Sequence, residues 1–187
     1  FGSVEFVLAG AEKLSERLAT AFEDRFGLRP MEGYGTTETS PVVTINTRDF
    51  RSAGFRQVGA KRGSIGHPLP GMVARLVDPD TGAPVALGRA GLLLVKGPNV
   101  MQGYLGQAEK TAEVLRDGWY TTGDIAAMDA DGFLAITDRL SRFSKIGGEM
   151  VPHIKVEENL HEMAELTEQT FVVTGVPDER KGERLVV

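Results

Sequence analysis

The chain has 187 residues, 41% hydrophobic and 25% charged, with a net charge of -5 at pH 7 and both signs mixed along its length. This is the composition of a globular chain of one or two domains, and its charge argues against a partner held by phosphate neutralisation, so no nucleic acid is expected. There is no cysteine, which removes disulfides, thiolate chemistry and cysteine metal sites, and no apolar run approaches the ~20 residues that span a membrane.

The chain opens on Phe rather than Met and stops within "GERLVV", so it reads as a fragment of a longer protein. "VEFVLAG" (4 to 10) is apolar and β-branched and predicts a buried strand. "SERLATAFEDRFG" follows with Leu14, Leu18, Ala21, Phe22 and Phe26 at helical spacing, Ser15 as N-cap and Gly27 as stop. "RPMEGYG" is a short second strand. Strand, helix and strand with short connections predict a parallel β-α-β unit, whose sheet needs further strands upstream of residue 1.

From about 58 to 137 the pattern changes to short runs split by Pro-Gly, Asp-Pro-Asp-Thr-Gly and Lys-Gly-Pro. Val73, Arg75 and Val77 alternate with Met72, Ala74 and Leu76, "LLLVKG" is a more buried strand, and Asp129 to Gly132 predicts a hairpin turn. One helix is expected at about 107 to 115. This region reads as a distorted antiparallel β-barrel. After "DRLSR", "KIGGEMV" predicts a strand or hairpin and "KVEENLHEMAE" a helix with Val156, Leu160 and Met163 on one side. "QTFVVTGVP" and "RLVV" predict strands joined by a turn. The expected organisation is α/β plus β: 1–57 as the end of a large N-terminal α/β domain, 58–137 as the β-barrel, 138–142 as a hinge, and 143–187 as the start of a small α+β module.

The segment "YGTTETSP" (34 to 41) concentrates hydroxyls and a carboxylate between Gly and Pro at the end of a strand. Ligands of open α/β sheets bind at the carboxyl ends of strands. Tyr34 offers a stacking face, Gly33 and Gly35 close backbone approach, Thr36 and Thr37 hydroxyl donors, and Glu38 a hard oxygen ligand. That set suits a purine nucleotide with Mg2+ on Glu38. The structural alternative is a Thr-rich turn capping a helix, with Glu38 at its N-terminus. His67, His153 and His161 are far apart and make no metal-ligand pattern, so each is read as structural or surface.

"GWYTTGD" (118 to 124), "GPNVMQGYL" (97 to 105), "DRLSRFSKIGGEMV" (138 to 151) and "GVPDERKGE" (175 to 183) accompany that segment. In order and spacing they resemble the core signatures of the adenylate-forming superfamily of acyl and aryl ligases. The resemblance implies ATP and its adenylate as ligand. "YGTTE" resembles the family's Y-G-x-T-E loop, which implies Tyr34 stacking on adenine, Thr37 on the α-phosphate and Glu38 on Mg2+. Gly10, Ala11 and Glu12 stand where the family's strand-end segment lines the adenine pocket. Asp124 resembles the aspartate that accepts both ribose hydroxyls, and Arg139 the hinge arginine beside it. Lys145 stands where some relatives place a catalytic lysine for thiol transfer; otherwise it is an exposed lysine.

Two departures, Ser141 at the hinge and Leu92 in "GLLLVKG", point to a less typical subfamily. "LPGMVARL", "KGPNVMQGYL" and "RFSKIGGEMV" resemble the synthetase half of bacterial bifunctional acyl-[acyl-carrier-protein] synthetase/2-acylglycerophosphoethanolamine acyltransferases. That implies a fatty acid substrate and acyl carrier protein as acceptor, with coenzyme A the rival acceptor. It also implies a cytoplasmic location, with the parent at the cytoplasmic face of the inner membrane through segments upstream. The family's phosphate loop and its C-terminal lysine fall outside the chain, so the fragment itself is expected to be inactive. A non-catalytic nucleotide-binding module is the competing class; the joint presence of Tyr34, Thr37, Glu38, Asp124 and Arg139 speaks against it.

Overall fold

The computed structural model describes residues 2–147, 149–166 and 170–187. They form two compact units, one from residues 2–122 with 126–137, the other from residues 123–125 with the described residues after 137.

The first unit begins with β1 (Leu8–Ala9), α1 (Glu16–Phe26) and β2 (Met31–Tyr34). The β1–β2 pair is parallel, with Leu8 opposite Met31, so the β-α-β expectation holds. Local chemistry fixes α1 at both ends. The Ser15 side chain accepts from Leu18 N, and Gly27 closes the helix at φ 69°, a conformation that costs a residue with a Cβ far more.

Strand β1 has two residues instead of a longer run, and Phe6 and Leu8 are exposed, as expected for an apolar strand of a sheet that needs further strands upstream, since β2 is its one neighbour here. Burial departs from the expectation in the helix. In α1 the buried residue is Ala19, whereas Leu18 is 60% exposed. The apolar spacing was correct for a helix, but the face turned inward is set by tertiary contacts rather than by the stripe.

The sheet continues through β3 (Thr44–Ile45), antiparallel to β2. A separate ribbon of β4 (Phe50–Ser52) and β5 (Phe55–Gln57) follows, and then β6 (His67–Pro68), antiparallel to β3. The second sheet holds β7 (Val73–Val77), β8 (Gly91–Lys96), β10 (Trp119–Met128) and β11 (Leu134–Arg139) in the order β11-β10-β8-β7. Between β8 and β10 lie α2 (Ala108–Val114) and β9 (Leu115–Arg116), the latter pairing with β10. This antiparallel half-barrel carries the helix and the 129–132 turn where the sequence placed them.

Gly66 joins the two sheets. Ile65 N donates to Leu134 O at 2.8 Å and Leu134 N to Gly66 O at 3.1 Å. A Cβ at Gly66 would stand 2.0 Å from the Ile45 carbonyl carbon, and its φ is 84°, so glycine is required on both counts. Val43, Leu76, Leu93, Val95, Ala126 and Leu134 form the core beneath this seam. Asn46, 2% exposed, pins the seam from within. Its Nδ2 donates to the Glu32 and Ser64 carbonyls, and its Oδ1 accepts from Lys61 N and Ser64 Oγ.

The second unit is a four-stranded antiparallel sheet: β12 (Phe143–Ile146), β13 (Glu149–Pro152), β14 (Thr174–Asp178) and β15 (Gly182–Val186), ordered β13-β12-β15-β14. The hairpin reading of "KIGGEMV" holds, with Gly148 outside the described residues. Strand β14 begins at Thr174, later than "QTFVVTGVP" suggested, and Gln169 also lies outside the described residues. Helix α3 (His153–Met163) buries His153 and Glu157, while Met163 is 83% exposed, so the expected Val156–Leu160–Met163 face is only partly the packed one. A polar set overrides it. Glu157 pairs with Arg142 and accepts from Val173 N at 2.6 Å, and His153 Nε2 lies 2.8 Å from Ser144 Oγ. No described helix is long and apolar enough to cross a membrane.

Candidate functional site

The carboxyl ends of β1 and β2 open into a cleft of ≈ 480 Å³. This is where the edge of a parallel pair leaves a crevice for ligands. One wall is the end of β1 running into Gly10 and Ala11; the other is Gly33 and Tyr34 running into Gly35, Thr36 and Thr37; Pro41 and Val42 close a third side. The cleft therefore gathers Gly10, Ala11, Gly33, Tyr34, Gly35, Thr36 and Thr37 from the sequence-predicted set. Glu12 and Glu38 are not among its lining residues.

Backbone geometry shapes the walls. Ala11 sits at φ 72°, a left-handed conformation that costs an alanine on the order of 1–2 kcal/mol. At Gly35 the close approach is to the chain's own turn, since a Cβ would lie 1.7 Å from the Pro41 carbonyl oxygen. Gly33 is tight for a similar reason, with Thr44 O 3.1 Å from where a Cβ would be.

The threonines divide their roles. Thr39, fully buried, accepts from Thr36 N at 3.0 Å, and its Oγ1 lies 2.9 and 3.0 Å from the carbonyl oxygens of Thr36 and Pro41, one of which takes its proton. This reciprocal box caps the short 3-10 turn Thr37–Thr39. The alternative read from the sequence, a Thr-rich turn capping a helix with Glu38 at its N-terminus, is met only as this three-residue 3-10 turn held by Thr36 and Thr39, with no helix following it before β3. Thr37 stays exposed at the cleft.

Glu38 is turned toward a loop that follows β8. Its Oε1 accepts from the Tyr104 hydroxyl at 2.7 Å, and its carbonyl oxygen accepts from Met101 N at 2.7 Å. Burial by itself pushes the Glu38 carboxyl up. The Tyr104 hydroxyl, its own backbone N–H and the hydroxyls of Thr36 and Tyr120 outweigh this and hold it below the ordinary glutamate value. The same bond, with burial and the adjacent negative charge, pushes the Tyr104 hydroxyl up to about 12, so Tyr104 remains a neutral donor.

Among the described residues, no group of three or more His, Asp or Glu could hold a metal ion. A single anionic carboxylate does fit Mg2+, which keeps its waters and shares phosphate oxygens with one or two protein carboxylates.

In the second unit, Arg139 Nε lies 3.5 Å from Asp124 Oδ1. The Asp124 side chain is 13% exposed and that of Arg139 62%, so the aspartate is fixed and the arginine lies mostly in water. Asp138 beside them is buried and accepts from Arg139 N at 2.7 Å; burial raises its carboxyl despite that bond and the nearby Arg142 and His153. Lys145 is exposed on β12. The three histidines are structural: His67 stacks on Phe133, His153 bonds Ser144, and His161 Nδ1 lies 2.7 Å from Glu157 O.

Residue-by-residue reading of the sequence did not single out Tyr104, Tyr120 or Asn99. Asn99 Nδ2 donates to the carbonyl of Val42, a cleft-lining residue, at 2.8 Å. All three stand inside quoted motifs, "GPNVMQGYL" and "GWYTTGD", which served as markers rather than as parts of the site.

The family model described as AMP-binding enzyme matches residues 1–105. A feruloyl-CoA synthase from Amycolatopsis sp is 40% identical over 181 residues, which cover 97% of this chain and 35% of that protein. A long-chain-fatty-acid–CoA ligase from Bacillus subtilis is also 40% identical over 181 residues, covering 97% of this chain and 30% of that protein. Among solved structures, ATP-bound MatB from Rhodopseudomonas palustris has a TM-score of 0.81 at 30% identity, covering 98% of this chain and 35% of that one. The o-succinylbenzoate CoA synthetase of Bacillus subtilis, in complex with its acyl-adenylate intermediate, has a TM-score of 0.79 at 28% identity over the same shares. The chain spans roughly a third of the length of these relatives.

Proposed function

The chain belongs to the AMP-binding enzyme family, and from that premise we propose that its cleft holds ATP, and the acyl-adenylate made from it, in an ATP-dependent ligase that joins a fatty acid to a thiol. The observation that carries this reading is the cleft at the ends of β1 and β2, where Tyr34, Thr36 and Thr37 meet the Gly10–Ala11 strand end.

The chemistry brings two anions together. A carboxylate oxygen attacks the α-phosphorus, the phosphorus–oxygen bond to pyrophosphate breaks, and pyrophosphate leaves with that bond's electron pair. The thiolate sulfur then attacks the acyl carbon, and the bond to AMP breaks. Tyr34 supplies an aromatic face for the purine, and the exposed Thr37 hydroxyl a donor for an α-phosphate oxygen. Glu38, held anionic by its donors, would hold Mg2+, which when bound offsets phosphate charge. For the second unit we propose Asp124 as acceptor of the two ribose hydroxyls, with Arg139 beside it, and Lys145 as a contributor to thiol transfer. A fixed carboxylate is a natural bidentate acceptor for a diol.

Relatives named as long-chain-fatty-acid–CoA ligases support a fatty acid and coenzyme A as substrates. The motif resemblance to bifunctional acyl-carrier-protein synthetases supports a second reading, in which the acceptor is the phosphopantetheine thiol of a carrier protein and the reaction feeds lysophospholipid acylation. The test is thiol transfer by the full-length protein with a fatty acid, ATP and either coenzyme A or carrier protein bearing a free phosphopantetheine thiol. Acyl-coenzyme A formation at least tenfold faster than carrier loading is expected. The reverse order selects the second reading, and no acid-dependent AMP release with either thiol refutes both.

A further inference from the structure

We propose that the loop from Gly97 to Tyr104 is a clamp on the nucleotide-site segment 36–42, and that Tyr104 is a positioning residue that fixes the Glu38 carboxylate for a divalent cation. The inference rests on the reading of Glu38 as a metal ligand and adds what makes it one.

Three hydrogen bonds stitch this loop to the segment. Asn99 Nδ2 donates to Val42 O at 2.8 Å, Met101 N to Glu38 O at 2.7 Å, and the Tyr104 hydroxyl to Glu38 Oε1 at 2.7 Å. Two of the three converge on one residue, one on its backbone and one on its side chain. Glu38 lies on a three-residue 3-10 turn; its own backbone N–H and the Thr36 and Tyr120 hydroxyls also act on the carboxylate, and the Tyr104 hydroxyl is the strongest of these donors and the one the loop supplies.

The loop is itself held. Tyr104 N donates to Thr111 Oγ1 at 2.9 Å, and Thr111 Oγ1 donates to Gln107 O at 2.9 Å, which ties the tyrosine to α2. Gly103 packs so closely on this threonine that a Cβ would stand 2.7 Å from Thr111 Cγ2. The chain from α2 through Thr111 and Tyr104 to Glu38 is therefore continuous.

A hydroxyl donor on one carboxylate oxygen fixes the plane of the group and uses one lone pair, which limits how the group can meet a cation. Supports of this kind typically change metal affinity by about 10- to 100-fold when removed. Tyr104 also lies against Lys110, whose Nζ sits 5.2 Å from the ring centroid, so the ring is held on a second side.

The test titrates Mn2+ by electron paramagnetic resonance into the full-length protein saturated with ATP and lacking fatty acid. It compares wild type, Glu38→Gln, Tyr104→Phe, Thr111→Val and the Glu38→Gln/Tyr104→Phe double variant. Tyr104→Phe keeps the ring, and unfolding curves check that each variant is folded. The expected result is a loss of Mn2+ affinity of about tenfold or more in Tyr104→Phe, a smaller loss in Thr111→Val, and a double variant no weaker than Glu38→Gln alone. The KM for magnesium should rise while that for the fatty acid stays within twofold. Glu38→Gln impaired with Tyr104→Phe and Thr111→Val both within twofold of wild type overturns the positioning role. Glu38→Gln itself binding Mn2+ like wild type overturns the metal-ligand reading, and the inference with it.

Discussion

Gly35 and Pro41 meet so closely that a Cβ on the glycine would stand 1.7 Å from the proline carbonyl oxygen, whereas one on Gly10, across the same cleft, would meet only Gly33 O at an ordinary 3.4 Å. Backbone cannot yield as a flexible side chain can. Gly35→Ala is therefore expected to lower stability by at least about 2 kcal/mol, and Gly10→Ala by about 0.5 kcal/mol or less. Chemical denaturation of the full-length protein measures both; equal effects would show that the 34–42 turn is not rigid.

Asn46 makes a second stability claim. Asn46→Ala leaves the Ser64 carbonyl and Lys61 N without their Asn46 partner in the seam, while the Glu32 carbonyl keeps the Asn46 backbone N–H. Each unsatisfied group costs about 1–3 kcal/mol, so a loss of about 2 kcal/mol or more is expected, with the cleft the first region to lose hydrogen-exchange protection. A loss below 1 kcal/mol would mean the seam is held elsewhere.

How far these contacts could be read from the chain differs by kind. Ser15 and Gly27 bound α1 through neighbours three and four residues away, so the sequence placed that helix correctly. The face it buries depends on what covers it: Leu18, one of the apolar set, is exposed, and Ala19, outside that set, is the buried residue. The same reason explains Met163, exposed although in helical register. Seven of the candidate residues gather in one cleft because they lie at two strand ends joined by a short helix. Tyr104 escaped notice because its partner Glu38 is 66 residues away and nothing local marks the bond.

Asp138 predicts an acid-side signature. Burial raises its folded-state pKa above the ordinary value near 3.8. An acid so shifted adds stability when protonated. As pH rises from the unfolded to the folded pKa, the unfolded state gives up its proton first and stability falls. Asp138→Asn, whose side-chain oxygen can still accept from Arg139 N, should remove this fall and be no less stable than wild type at pH 7. Unfolding curves between pH 3.5 and 7 check it; a wild type that gains stability over that range relative to the variant contradicts the assignment.

Asp124→Ala in the full-length protein should cut adenylate formation by about 10²-fold or more. Each of the two proposed ribose bonds to a charged acceptor is worth roughly 1.5–3 kcal/mol. Pyrophosphate exchange within threefold of wild type would remove Asp124 from the site.

Ser141, inside the 3-10 turn Leu140–Arg142, is the proposed hinge position. The family resemblance implies that the module after this hinge rotates between adenylation and thiol transfer, so Ser141→Pro, which fixes φ there, should slow one half-reaction far more than the other. Separate assays of adenylation and thiol transfer decide; equal loss in both, or in neither, places the pivot elsewhere.

The most direct test of the central claim, that the cleft between the β1 and β2 ends is the adenylate site, is fatty-acid-dependent exchange of labelled pyrophosphate into ATP by the full-length protein, wild type against Thr37→Val. The valine replaces an exposed hydroxyl by a methyl of nearly the same shape, so folding should be untouched while the proposed α-phosphate donor is lost. Wild-type exchange that falls about tenfold or more in Thr37→Val is the expected result. Exchange within threefold of wild type in the folded variant, or none in the folded wild type, would contradict it.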